Sequence, residues 1–354
     1  MLPKIVLILA AATIALTPLP RGAVERIYAR GVYPLVQPRM TALTNTTPFA
    51  WFDVIALCVV GAVITLWVVR LRRRRSGALA TIGGLVGDTV AIAAILYLWF
   101  LASWGLNYQR EPLRAQLDFQ EDRITRDSLR ALAHRNVNSL NALYAEAHAG
   151  GWPELTALPG VLAPAFVRAQ QDLAMTWHAV PGVPKRSLLN FYFTRVSIDG
   201  MTDPFFLETL ANQSLLPFER AATVAHEWSH LAGYADESEA SFLGWLVCMR
   251  GSKSAQYSGW LSLYGIVVNS LPRADRAEVS AALEHGPRED LRAIAQRIQT
   301  QALPIASRAG YALYDRFLKA NRVEAGLRSY SEVLRLLLGT RFNEDGGPVL
   351  LLRR

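Results

Sequence analysis

Two stretches of this sequence, residues 51–69 (WFDVIALCVVGAVITLWVV) and 79–104 (LATIGGLVGDTVAIAAILYLWFLASW), are apolar over lengths that dominate what the chain can become. A helix needs about 20 apolar residues to cross the hydrocarbon core of a bilayer, and both stretches are of that order. Trp51, Trp67, Trp99 and Trp104 lie toward their ends, where aromatic rings favour the lipid–water interface. Residues 4–20 form a shorter apolar run after a single lysine. It predicts a third transmembrane helix, or a signal peptide; the sequence LTPLPRGAVE offers no clear small-x-small cleavage site, which favours a retained anchor.

The net charge of +8 points less to nucleic acid than its size suggests, because much of it sits in one run, Arg70 and Arg72 to Arg75, between the two long apolar stretches. A run so placed stays in the cytoplasm, so the chain after Tyr108 is expected on the far side. Elsewhere the positive charge is scattered, without the clustering and interleaved aromatics that nucleic-acid binding requires. Asp53 and Asp88 fall inside the spans. Asp53 is near an end and reads as solvated at the interface, whereas Asp88 reads equally as a helix-packing, capping or functional group. Cys58 and Cys248 are too few for a disulfide framework.

From residue 106 onward the pattern is amphipathic. Leu129, Leu132, Val137, Leu140 and Leu143 recur at helical spacing within residues 125–148, and a joint rich in Gly and Pro is expected from Gly150 to Pro164. Residues 187–199 (SLLNFYFTRVSID) are aromatic and β-branched enough to predict a strand closed by Gly200, with Phe205 to Leu210 as its partner. Helical periodicity returns from Arg276 to Leu338, with breaks at Gly286-Pro287, Pro304 and Gly326.

The chemistry lies in residues 217–248, PFERAATVAHEWSHLAGYADESEASFLGWLVC, which predict a helix, a glycine turn and a second helix. Pro217 suits a first helical position and Gly233 a helix end. His226 and His230 are four apart, so one helical face carries both imidazoles, as two corners of a tetrahedral zinc site demand. Glu227, the next residue round, misses the metal but reaches a water beside it and can act as general base. The third ligand has to come from after the glycine. Asp236 has suitable spacing but also suits an N-cap, with Glu239 completing a capping box, which leaves Glu237 free to turn back toward the metal. Glu237 is the favoured ligand, with Glu239 and Asp236 as alternatives. Phe242, Leu243, Leu246 and Val247 read as the packing face of the second helix. His134, His148 and His178 have no ligand spacing. Tyr234, Tyr314, Tyr311 and His285 are possible oxyanion stabilisers among which the sequence does not choose.

The stretch HEWSHLAGYADESEASF resembles the HExxHxxG...ExEAxF block of the bacterial DUF3810 family, a zincin-like group of membrane proteins without an assigned substrate. WGLNYQREPL after the last span and YDRFLKANRVEAGLRSYSEVLRLLL near the C-terminus resemble further blocks of that family. The ExxA element is similar to the third-ligand helix of membrane gluzincin peptidases, whose first glutamate falls on Glu237; those peptidases usually carry Asp or Asn where this chain has Ser241.

Together these readings predict a mainly α chain (α+β minor). Residues 1–105 would be a membrane anchor with about three transmembrane helices, and residues 106–354 a zincin-like, mostly helical extracytoplasmic domain with a short β-sheet. The implied protein is a multi-pass zinc metallopeptidase of the bacterial inner membrane. Zn2+ would be its cofactor, the lipid bilayer its partner, and a peptide or protein of the cell envelope its substrate. The alternatives are an inactive zincin-like scaffold, which the presence of Glu227 disfavours, and a zinc amidase acting on cell-envelope material.

Overall fold

A computed structural model describes residues 2–72, 77–321 and 332–351. Arg73 to Arg75 of the arginine run, the expected break at Gly326, and Arg353-Arg354 lie outside the described residues.

The described residues are mostly helical, with one two-stranded sheet among them. Helix α1 (Leu2–Leu16) turns through 111° into α2 (Arg21–Asn45), whose stretch Val24–Val32 is π-helical. Then come α3 (Trp51–Arg72) and α4 (Ala78–Ser103). These two are long and apolar enough to cross a membrane, and a third span results if the bent α1–α2 pair counts as one. No residue of α3 is buried against the protein, although its apolar side chains point all round the helix. Helices α1 and α3 both pack against α4. Asp88 of α4 is the pin: it accepts from Lys4 of α1 and from Nε and Nη2 of Arg70 of α3, at 3.0 and 2.6 Å for the arginine. Its role in the fold is thus helix packing through charge, since a buried carboxylate needs its counter-ions.

Residues 21–45 show no apolar periodicity that would place them. In the structure α2 lies against the rest of the protein through Tyr33, Gln37, Thr41 and Thr44, a buried polar stripe at helical spacing. Tyr33 donates to the Leu231 carbonyl at 2.9 Å and Thr41 to that of Leu207 at 2.8 Å. Gln37 pairs both ways with the backbone of Val180.

After α4 follow α5 (Arg126–Ala149), α6 (Leu158–Asp172), α7 (Asn190–Val196), strands β1 (Gly200–Asp203) and β2 (Glu208–Ala211), then α8 (Arg220–Leu231), α9 (Glu237–Met249) and α10 (Lys253–Ser270). Helices α11 (Arg273–Ala281), α12 (His285–Gln301), α13 (Pro304–Ala320) and α14 (Val333–Gly339) complete the order among the described residues. The face expected on α5 is the buried one, with Val137 and Leu140 fully enclosed against the core and Thr125 capping the helix start. Three expectations need correction. Pro164 lies inside α6, which already begins at Leu158, so the joint is shorter than its composition suggests. The break expected at Gly286-Pro287 falls just before them, at residues 282–284, and both stand in the first turn of α12, as first-turn positions allow. The strand expected at 187–199 is instead the helix α7: Phe193 and Val196, three apart, are its buried residues, so burial follows the helical period and overrides aromatic propensity.

The sheet lies just beyond. Gly200 pairs with Ala211 and Asp203 with Glu208 in antiparallel register, so only the end of the expected Phe205–Leu210 strand is extended. Phe205 to Leu207 form the turn, where the Asp203 carboxylate accepts from the backbone of Phe205 and Phe206 at 2.9 and 3.0 Å and Leu207 takes φ 55°. Asp53 is not merely solvated. It accepts from Ser187 Oγ at 2.6 Å and the Leu188 backbone at 2.8 Å, and so ties the first turn of α3 to the segment before α7.

Candidate functional site

Helix α8 carries the HExxH residues, with Glu227 and His230 buried and His226 partly exposed. Trp228, fully enclosed, packs on Phe166 at 5.3 Å between ring centroids and donates from Nε1 to the Gly182 carbonyl at 2.8 Å, which fixes the rotation of the helix. That rotation sends His226 and His230 to one side. Their rings stand 4.8 Å apart between centroids and nearly perpendicular, at 89°. The helix ends at Gly233, whose φ of +87° is open to glycine at no steric cost.

The turn after Gly233 decides between the three acidic residues. Asp236 caps α9, accepting from the backbone of Ser238 at 2.9 Å and of Glu239 at 3.4 Å. Glu239 does not complete a capping box but accepts from the Leu113 backbone at 2.6 Å, and burial together with Asp236 pushes its carboxyl up to about 7. Both alternative ligands are thus engaged elsewhere. Glu237 Oε2 lies 3.1 Å from His226 Nε2 and 3.5 Å from His230 Nε2, and the three donor atoms fall within 4.8 Å of one another. Ligand atoms about 2.0–2.1 Å from a tetrahedral zinc lie about 3.4 Å apart, so a donor set of two imidazoles and one carboxylate at these separations fits the ion.

The surroundings hold the donors in place. His230 Nδ1 meets the Tyr234 carbonyl at 2.7 Å, and as a donor contact this orients the ring so that Nε2 faces Glu237. Ser241 Oγ lies 3.3 Å from His226 Nδ1, so the serine occupies the place where an Asp or Asn was expected from the peptidase resemblance. Tyr314 of α13 donates to Glu237 Oε1. Glu227 is buried, and Thr202 of β1 donates to its carboxylate at 2.9 Å and to its backbone carbonyl at 2.8 Å. Burial raises the Glu227 carboxyl above the usual range, against the pull of the two imidazoles. Burial opposes the charge on His230, but the Glu237 carboxylate more than offsets it and lifts that imidazole to about 9; the same pairing holds Glu237 well below the usual carboxylate range despite its burial.

The possible oxyanion stabilisers part company. Tyr314 reaches the site. The Tyr234 ring instead lies under the Arg110 guanidinium, 5.3 Å from its centroid, and contributes only its carbonyl. His285 is 87 % exposed in its side chain beside Glu289, and Tyr311 bonds near Ser197. Neither joins the cluster.

A profile of the family described as "Protein of unknown function (DUF3810)" matches residues 28–338, most of the chain. The chain belongs to the DUF3810 family. No curated protein and no solved structure matches it. The DUF3810 match begins inside α2 and runs through both long apolar helices to α14, so it takes in His226, His230, Glu237 and the helix that carries Tyr314.

Several residues of this DUF3810 site carry no local sequence signal. Thr202 and Tyr314 come from elements far along the chain. Trp104, at the end of α4, donates to the His230 carbonyl at 2.9 Å. Arg110 donates to the Gly233 carbonyl at 2.9 Å and pairs with Glu25 of α2 at 3.1 Å, bracing the turn from outside. Gly244 had a signal that was open to reading, a small residue in the middle of an apolar helix. A Cβ there would lie 2.9 Å from the backbone nitrogen of His226, so α9 approaches α8 as closely as it does only because that atom is missing. Gly244→Ala is expected to cost about 1–3 kcal/mol through overpacking and to draw Glu237 away from the imidazoles. Thermal unfolding and zinc affinity check this together; unchanged values in both would contradict it.

Proposed function

We propose that this DUF3810 protein is a membrane-anchored, zinc-dependent hydrolase, a metallopeptidase acting on peptide or protein material of the cell envelope. The observation that carries the reading is the convergence of His226, His230 and Glu237 on one point, with the buried Glu227 carboxylate beside it. When bound there, zinc would supply Lewis acidity toward a carbonyl and a water of lowered pKa.

The chain's own residues do the rest. His230, oriented through Nδ1 by the Tyr234 carbonyl, and His226, with Ser241 beside its Nδ1, would hold the ion together with Glu237. Tyr314 holds Oε1 of Glu237 so that Oε2 faces the imidazoles. Glu227, kept in place by Thr202, takes a proton from the attacking water on its carboxylate and returns it to the leaving nitrogen. A raised carboxyl pKa suits both halves of that transfer. Digestion of a peptide library by the purified full chain tests the reading. Cleavage that a chelator abolishes and added zinc restores is expected; no zinc-dependent cleavage of any peptide would overturn the peptidase assignment.

The same proposal places the chain across the bacterial inner membrane, with Lys4 and Arg70 on the cytoplasmic side and the site outside. Trp51 and Trp99, at the opposite ends of α3 and α4 from those charges, both pack on Phe206, which supports this orientation. A reporter enzyme fused after residue 354 that works only outside the cytoplasm should be active. Activity of a fusion that works only inside would reverse the topology.

A further inference from the structure

The segment before and within α7 turns large apolar side chains outward: Leu188 is 71 % exposed and Phe191 70 %, and Leu189 and Tyr192 are exposed beside them. Isolated apolar residues on a surface need no explanation, but four within five positions form a patch. The opposite side of the same segment is fixed. Ser187 and Leu188 donate to Asp53 in the first turn of α3, and Phe193 packs with Ala50 and Leu210 where the chain enters that helix. The patch therefore begins where α3 begins. The rings of Phe49, Trp51, Phe206 and Trp99 form a continuous row at the same level, each 5.3 to 5.8 Å from the next. Positive charge accompanies the patch: Arg186 is exposed, and Arg195 lies over the Phe191 ring at 5.1 Å from its centroid. Aromatic and aliphatic side chains edged with arginine suit the boundary between anionic headgroups and acyl chains.

We propose that Leu188, Leu189, Phe191 and Tyr192 insert into the bilayer surface as a second membrane contact of the outer domain, next to the mouth of α3. The proposal rests on α3 crossing the membrane and not on the hydrolytic chemistry. It continues the interface that Trp51 and Trp99 mark, and it seats the domain on that surface. The sheet rises from there: β1 runs from Asp203, beside the Phe205–Phe206 turn, past Thr202 at Glu227. The site then sits within the length of one four-residue strand, about 13 Å, of the aromatic row. A substrate presented near the headgroups reaches it without leaving the membrane surface.

Depth-dependent quenching in vesicles of phosphatidylethanolamine and phosphatidylglycerol tests this on the full chain. An environment-sensitive fluorophore is placed at Phe191→Cys, or separately at Leu188→Cys, with Cys58→Ser removing the exposed native thiol; Cys248 is buried. Val161→Cys serves as control, an apolar position 56 % exposed on α6, which packs against α8 and α9. Spin-labelled lipid is expected to quench positions 188 and 191 several-fold more than position 161, whereas equal quenching at all three overturns the proposal. The native Cys58 of α3, labelled in the otherwise unchanged chain, reports on the span. Deep quenching there with none at 188 and 191 removes only the second contact. No quenching at Cys58 removes the span and the proposal with it, and leaves the metal site to be judged by its own experiment.

Discussion

Glu227→Gln is expected to leave zinc bound and to lower turnover by about 10² to 10⁴-fold, the usual worth of a placed general base. The substitution suits the site because glutamine keeps the shape of the side chain and can still accept from Thr202 Oγ1, which lies 2.9 Å from the present carboxylate. What it removes is the capacity to take a proton. Glu227 is not a member of the donor cluster, so metal content should not change. Rates on a peptide found by library digestion, with zinc measured on the same preparation, separate the two effects. Full activity in the variant would assign the base elsewhere, and loss of zinc would mean that Glu227 helps hold the ion.

Lys185→Ala is expected to destabilise the protein by about 3–5 kcal/mol, because it strands a buried carboxylate. Lys185 and Glu208 are 4 % and 1 % exposed and pair directly. The lysine also donates to the Thr44 carbonyl at 2.6 Å and to Thr47 at 3.2 Å, while Glu208 accepts from the Phe52 backbone at 3.1 Å. One ion pair thus joins the end of α2, the start of α3 and strand β2. Its loss should loosen β1 as well, and with it the Thr202 contact to Glu227. Chemical unfolding of the solubilised chain measures the cost. Lys185→Met combined with Glu208→Leu, which removes both charges and fills the space, should recover much of it. A single substitution costing less than about 1 kcal/mol, the range of exposed pairs, would show that the pair is not sealed from water.

How much of this was legible in the sequence follows the range of the interactions. The spacing of His226 and His230 is set within one turn of helix, and the structure puts both rings on one side as the spacing requires. That Glu237 turns back toward the imidazoles was reachable by elimination because Asp236 and Glu239 suit the local helix start; Asp236 takes its part, while Glu239 goes to Leu113, which no local pattern announces. The apolar lengths of α3 and α4 are likewise written in consecutive residues. Residues 191–196 (FYFTRV) have strand propensity, while Phe193 packs on Ala50 and Leu210, contacts outside the segment that its own composition does not announce. The place of α2 was hidden for a similar reason. Tyr33, Gln37, Thr41 and Thr44 form a polar stripe that looks solvated until Leu231, Val180 and Leu207 supply its partners. Tyr314 reaches Glu237 from 77 residues downstream, so nothing near the motif could choose it over Tyr234.

The decisive measurement is the zinc content of the purified full chain, taken alongside His226→Ala, His230→Ala and Glu237→Gln. About one ion per native chain, lost or bound far more weakly in all three variants, is the expected result. A native chain that takes up no zinc when loaded, or variants that keep it as tightly as the native chain does, would contradict a metal centre formed by these residues.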